Sequence, residues 1–212
     1  MSRIVIFANG HLPDVEKART ILGADDYIIA ADGGTRHALA LGVTPNVVIG
    51  DLDSMRRAEI EEVKSREIQI ILYPRDKNET DLELALNHAL GLKPDGILVI
   101  GALGDRLDQT LANLALISGA RFSGLDVRLD DGVEEAFFCR ASSEVRGRSG
   151  DVISLIPWLG KVEGVRTENL KWPLRGETLY PERSRGVSNE MAAALAKVGI
   201  ASGLLLVVHR RQ

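Results

Sequence analysis

Over about its first 120 residues the chain alternates short Ile-, Val- and Ala-rich runs with amphipathic stretches, and this alternation constrains the fold most. Arg3–Ala8, Tyr27–Ala31, Val47–Ile49, Ile68–Leu72 and Ile97–Gly101 read as strands. Val15–Leu22, Gly33–Leu41, Met55–Lys64, Glu79–Leu90 and Leu107–Ser118 read as the helices that follow them. Strands of this kind, each followed by a helix, form βαβ units and predict a parallel sheet covered on both faces. After Gly124 the texture changes. Short segments are separated by Asp130-Asp131-Gly132, Gly147, Gly150, Gly160, Gly164 and Gly176, which predicts an all-β domain. Glu190–Lys197 (EMAAALAK) has helical propensity. Its β surroundings favour a strand that places Met191, Ala193, Leu195 and Lys197 on one face. The expected division is residues 1–122, an α/β domain, and 123–212, a β-sandwich.

A chain of 212 residues buries roughly 70% of its unfolded surface. A net charge of −4 argues against general nucleic-acid binding. Cys139 is the single cysteine, so neither an internal disulfide nor a cysteine zinc site can form, and a reducing cytoplasm is expected. Met1 to Gly10 reads as a buried strand without a signal-peptide pattern. The longest apolar runs, such as Leu204–Val208, are too short to span a bilayer.

In an open parallel sheet, ligands bind outside the carboxyl ends of the strands. Those ends carry Asn9-Gly10-His11, Asp32-Gly33-Gly34, Gly50-Asp51-Leu52-Asp53-Ser54, Asp76-Lys77-Asn78-Glu79-Thr80-Asp81 and Gly101 to Asp108. Some of these acids have an alternative use as helix caps. Asp32 can cap the helix after it, and Asn78 with Asp81, or Asp105 with Asp108, resembles a capping box. Of Asp51 and Asp53, only one can cap. Two carboxylates about 5 Å apart repel by roughly 3 kcal/mol at an effective dielectric near 20. Gathered acids therefore raise one another's pKa unless a cation lies among them. Oxygen ligands without His or Cys favour Mg²⁺ over zinc, and Mg²⁺ combines a few carboxylates with substrate phosphates. The residues thus predict a Mg²⁺–polyphosphate site at a sheet edge. Gly33, Gly34, Gly101 and Gly104 would let backbone N–H groups approach phosphate. There is no G-x-x-x-x-G-K-[ST] and no G-x-G-x-x-G after the first strand, so P-loop and dinucleotide-binding readings are disfavoured.

The ordered set Ala31-Asp32-Gly33-Gly34, Gly50-Asp51-Leu52-Asp53-Ser54, Glu79-Thr80-Asp81, Arg106-Leu107-Asp108, Leu170-Lys171-Trp172-Pro173-Leu174 and Gly186-Val187-Ser188-Asn189-Glu190 resembles the thiamine pyrophosphokinase family. The resemblance implies a Rossmann-like N-terminal domain that binds ATP and Mg²⁺. It also implies a C-terminal β-sandwich that serves thiamine binding and dimerisation, and a homodimer. The implied reaction moves a diphosphoryl group from ATP to the hydroxyl of thiamine, giving thiamine diphosphate and AMP. By the same likeness Asp51, Asp53 and Asp81 form the metal set and, with Asp108, the catalytic acids. Apart from the likeness, Asp81 and Asp108 are both candidates to accept the hydroxyl proton. Lys77, Thr80, Ser188 and Asn189 are implied substrate contacts and Asp32 a further active-site acid; Gly33, Gly34, Arg106 and Trp172 join the substrate contacts on chemical grounds. Asn78 stands where bacterial members often have aspartate, and Asp105 where glycine is common.

Each contact has a competing structural use. Arg106 is a phosphate clamp or a surface salt bridge to Asp105 or Asp108. Trp172 is an aromatic platform for cationic thiamine or a packing residue. Two rival functions fit the same edge: pyrophosphoryl transfer to another alcohol such as a hydroxymethyl pterin, and non-catalytic nucleotide binding.

Overall fold

The computed structural model describes residues 3–212. The part of the N-terminal reading that covers Met1 and Ser2 lies outside the described residues. The chain divides into two compact units, Met1–Gly132 and Val133–Gln212.

In the first unit the strands are β1 (Ile4–Phe7), β2 (Tyr27–Ala31), β3 (Val47–Gly50), β4 (Gln69–Leu72), β5 (Gly96–Ile100) and β6 (Asp126–Asp130). They are joined by α1 (Val15–Thr20), α2 (Thr35–Ala40), α3 (Arg57–Ser65), α4 (Asp81–Gly91) and α5 (Leu107–Ser118). The strand order is β6-β5-β1-β2-β3-β4, with every pairing parallel. The order reverses direction between β1 and β5, where a crevice opens in such sheets. Expected and observed elements agree to within a few residues, because the Ile/Val runs are buried on both faces. Val5, Phe7, Ile28, Leu98 and Ile100 pack with Ala18 of α1 and Ala38 of α2. On the opposite face Ile4, Ile6, Ile29 and Ile49 are fully buried, and α4 packs across β1, β2 and β3. Each such side chain contributes roughly 1.5–3 kcal/mol by leaving water.

The first unit runs to Gly132 rather than to about residue 122, because β6 pairs in parallel with β5 from Gly96↔Asp126 to Val99↔Leu129. Residues 123–132, expected from sequence to open the sandwich, belong instead to the α/β unit.

The second unit contains β7 (Glu134–Cys139), β8 (Ser142–Arg146), β9 (Val152–Pro157), β10 (Val162–Glu168), β11 (Arg175–Leu179), β12 (Asn189–Glu190), β13 (Leu195–Gly199) and β14 (Leu205–Arg210). Antiparallel strands run in the orders β12-β9-β14-β7 and β11-β10-β13-β8. Phe137, Ile153, Leu155 and Val207 from the first set pack with Val145, Val165, Leu179 and Val198 from the second. EMAAALAK forms no helix, and it is not one continuous strand either. Met191 donates its N–H to Asp151 and Ala192 donates to Asn169, so the chain breaks pairing between β12 and β13. That break changes the register. Ala196 and Val198 of β13 turn inward, while Lys197 is exposed. Cross-strand bonds have overridden a local helical preference.

Parallel register brings the strand ends to one level: Phe7 pairs with Ala30 and Ile100, Ala31 with Ile49, and Gly50 with Leu72. Gly34 is needed for this. A Cβ there would lie 2.0 Å from the Phe7 carbonyl oxygen, and one at Gly33 would lie 2.5 Å from the Asn9 side chain. Gly34 is accounted for by close packing on the backbone beneath the edge, and Gly33 by contact with the Asn9 side chain. Gly34→Ala is expected to lower stability by roughly 3 kcal/mol or more, read as a fall in denaturation midpoint. A midpoint within error of the parent chain would contradict this packing requirement.

Candidate active site

The acids are assembled by the turns after β2 and β3 and by the first residue of α4. Asp32 follows β2 with φ of 45°, an uncommon conformation for a non-glycine residue, and is 2% exposed. Its Oδ2 accepts the Ser54 N–H at 3.1 Å, and its Oδ1 is buried without a hydrogen bond. Asp51 Oδ1 accepts the Asp53 N–H at 3.1 Å, which folds the Asp51-Leu52-Asp53 turn back on itself. Asp32, Asp51 and Asp53 thereby each offer an oxygen within 4.8 Å of the others. Gly50 allows the close approach: a Cβ there would lie 3.0 Å from both Asp32 Cβ and Asp81 Oδ1.

Neither Asp81 nor Asp32 serves as a helix cap. Thr80 is the N-cap of α4 and accepts the Glu83 N–H at 3.2 Å, so Asp81 is left uncommitted. Asp32 bonds Ser54 instead of capping α2. Lys77 joins the two sides of the edge. Its Nζ lies 2.7 Å from Asp51 Oδ2 and 3.1 Å from Asp81 Oδ1. The contact to Asp81 is an ion pair without hydrogen-bond geometry, which leaves Asp81 Oδ1 buried and unbonded.

The two carboxylates titrate in opposite directions. The Lys77 hydrogen bond holds the Asp51 pKa below its ordinary value, and burial pushes that of Asp81 up. The bond to Asp51 also raises the Lys77 pKa. Asp32 Oδ1 is buried without a hydrogen bond, and Asp81 Oδ1 is buried with the Lys77 ion pair but no hydrogen bond; burying such atoms without hydrogen bonds is costly. A divalent cation with a preference for oxygen ligands would satisfy that donor set. The structure thus brings Asp32 together with Asp51 and Asp53, with Asp81 beside them.

A cleft of about 660 Å³ opens along the same edge. Its lining includes Asn9, His11, Asp32, His37, Thr80, Asp81, Arg106 and Asn113. The crevice between β1 and β5 is held by the Gly10 N–H donating to the Gly101 carbonyl at 2.8 Å and by a 2.7 Å contact between His37 Nε2 and the Gly10 carbonyl. Sequence reading gave His37 no function. The available signal was its place one turn after Gly33-Gly34, at the edge-facing start of a helix. Arg106 lies at the cleft but is 70% exposed and ion-paired to Asp108, itself 64% exposed. The surface-pair alternative therefore describes these two residues here, and Asp108 lies outside the Asp32–Asp51–Asp53 group.

In the second unit, Trp172 and Asn189 are brought together. The Asn189 side chain accepts the Trp172 N–H at 3.1 Å and donates to its carbonyl at 2.7 Å. The indole is 47% exposed, with Lys171 Nζ 4.7 Å from its ring centre. One face of the Trp172 ring is therefore already met by a cation, while nearly half of the residue stays open to solvent. Asn189 is 4% exposed and fixes the loop that carries it. Ser188, with φ of 57°, donates its N–H to Ser154 Oγ at 3.0 Å. Trp158 packs edge-on against Phe138 at 5.4 Å, a structural use.

Residues 18–129 match the family model described as thiamin pyrophosphokinase, catalytic domain, and residues 142–205 match that of its vitamin B1 binding domain. The chain belongs to the thiamine pyrophosphokinase family. It is 27% identical over 183 residues to thiamine pyrophosphokinase of Bacillus subtilis, covering 85% of this chain and 86% of that protein. The crystal structure of thiamin pyrophosphokinase family protein from Enterococcus faecalis superposes with a TM-score of 0.82 at 28% identity, covering all of both chains. That of thiamine pyrophosphokinase from Bacillus subtilis gives 0.89 at 24% identity, a likeness of fold.

The opposite pKa shifts set the signs of two substitutions in the metal-free protein. Asp51 has a lowered pKa, so its stabilisation is present above the ordinary carboxylate value and lost as pH falls through the lower folded value. Asp81 has a raised pKa, so its ionised form costs stability once pH exceeds the unfolded value. At pH 7, Asp51→Asn should lower the melting temperature and Asp81→Asn should raise it. Both differences should shrink below about pH 4. Shifts of the same sign for the two variants would contradict this electrostatic picture.

Proposed function

We infer that the chain transfers a diphosphoryl group from ATP to the hydroxyl oxygen of thiamine, yielding thiamine diphosphate and AMP. The observation that carries this reading is the group of Asp32, Asp51 and Asp53 at the carboxyl edge of the sheet, beside the large cleft. The first unit, which we read as Rossmann-like from its parallel sheet and its switch point between β1 and β5, would bind ATP. The sandwich would serve thiamine binding and dimerisation, the protein acting as a homodimer. The match to a vitamin B1 binding domain favours thiamine over a pterin alcohol. Three gathered acids beside unsatisfied buried oxygens speak against a module that merely binds nucleotide. A buried, unpaired Cys139 is compatible with a cytoplasmic protein. Among the described residues, no helix is long and apolar enough to cross a membrane.

Asp32, Asp51 and Asp53 would hold Mg²⁺, with Asp81 at hand; the ion, when bound, neutralises polyphosphate charge. The thiamine oxygen attacks the β-phosphorus in line and the bond to the α-phosphate oxygen breaks, releasing AMP. Catalysis comes mainly from positioning and charge neutralisation. The Asp81 carboxylate is the better acceptor for the hydroxyl proton, since burial raises its pKa while Asp108 is exposed and held by Arg106. Arg106 would leave Asp108 to clamp phosphate, and Trp172 would stack on the cationic thiamine ring.

Incubation with ATP, Mg²⁺ and thiamine should yield AMP and thiamine diphosphate in equal amounts. ADP with thiamine monophosphate would refute the reaction type, and turnover of a pterin alcohol alone would refute the acceptor. Asp53→Asn should lower kcat about a thousandfold with a melting temperature near the parent value. Trp172→Ala should raise the KM for thiamine roughly tenfold and leave that for ATP unchanged, as loss of a cation–π contact of about 1–2 kcal/mol requires.

A further inference from the structure

Among the described residues paired with Asp51, Asp53 and Asp81, Lys77 is the cation withdrawn from solvent. Its side chain is 10% exposed, whereas Arg75, which reaches Asp53 Oδ2 at 3.1 Å, is 82% exposed. A partly desolvated ammonium is screened far less than an exposed guanidinium. Lys77 Nζ occupies Asp51 Oδ2 at 2.7 Å while Asp51 Oδ1 is taken by the Asp53 N–H. The carboxylate that anchors the group therefore has no oxygen free of a partner. Beside it, Asp32 Oδ1 and Asp81 Oδ1 are buried without hydrogen bonds.

We propose that Lys77 is a placeholder cation: it holds Asp51 and Asp81 at the edge in the metal-free protein, and a divalent ion must displace it from Asp51 to bind. The proposal rests on the reading of this edge as a divalent-cation site. Two cations in contact with one carboxylate oxygen repel each other, so the ammonium and the ion compete for Asp51 Oδ2. The ammonium keeps the acids in register when no ion is present. Once displaced, it is free to meet the anionic polyphosphate that accompanies the ion. In this arrangement Lys77 is a positioning residue whose effect on metal affinity is opposite in sign to that of a supporting contact.

The test uses the full chain with Mn²⁺ alone, without nucleotide, and reads free Mn²⁺ by electron paramagnetic resonance. Lys77→Met should bind Mn²⁺ at least about tenfold more tightly than the parent chain, because a neighbouring positive charge is removed. It should also melt at a lower temperature without metal and gain more from added Mn²⁺. Lys77→Gln, which keeps a polar group, should shift affinity in the same direction and serves if the methionine variant does not fold. Lys77→Arg should leave affinity within about twofold, since the charge is retained. Lys161→Met removes an exposed lysine paired with Glu163 and controls for net charge; it should change nothing. Unchanged or weaker Mn²⁺ binding by both neutral variants overturns the placeholder proposal. Should the parent chain bind no Mn²⁺, or Asp51→Asn bind as well as the parent, the metal reading itself fails and the proposal falls with it.

Discussion

Repulsion among carboxylates at one sheet edge is the constraint on which the rest of the structure turns. Asp32, Asp51 and Asp53 offer oxygens within 4.8 Å, and Asp81 lies beside them. Unassisted, each pair at such a distance would cost on the order of 3 kcal/mol at an effective dielectric near 20. The chain tolerates this because the acids are fixed by elements that are themselves deeply buried. The turns leave β2 and β3, whose side chains are almost wholly enclosed, and α4 is seated on the same strands. Backbone N–H groups of Asp53 and Ser54 and the ammonium of Lys77 supply the partial compensation.

The same packing explains the glycines. Gly34 lets the turn after β2 lie against the Phe7 carbonyl, and Gly50 lets Asp32 and Asp81 approach across β3. Both are structural conditions for the site. Neither requires a phosphate to account for it, although phosphate binding nearby is compatible with both. The arrangement keeps a charged edge available to an anionic ligand that brings its own cation, which is what diphosphoryl transfer from ATP requires.

Much of the first unit was legible in sequence because two signals coincide there. Ile/Val runs buried on both faces mark strands, and parallel register carries whatever follows each strand to one edge. Asp51 and Asp53 stood out because capping explains only one of a pair. Asp32 was underrated as a member of the acidic group, since its turn conformation, with φ of 45°, is invisible in the residue type. The position of Asp81 beside the group depends on Thr80 taking the cap, which residue type alone does not show. The Arg106–Asp108 pair could not be decided in advance, as both uses need the same spacing. EMAAALAK misled in detail because long-range bonds to Asp151 and Asn169 reset the register within the segment, and no local pattern reports them.

The central claim is that this edge is a divalent-cation site serving polyphosphate. A crystal of the chain soaked with Mn²⁺ and a non-hydrolysable ATP analogue tests it most directly, through anomalous scattering at the manganese edge. A peak is expected among the carboxylates of Asp32, Asp51 and Asp53, with phosphate oxygens completing the coordination. Nucleotide bound in the cleft with no anomalous peak at those carboxylates would contradict it.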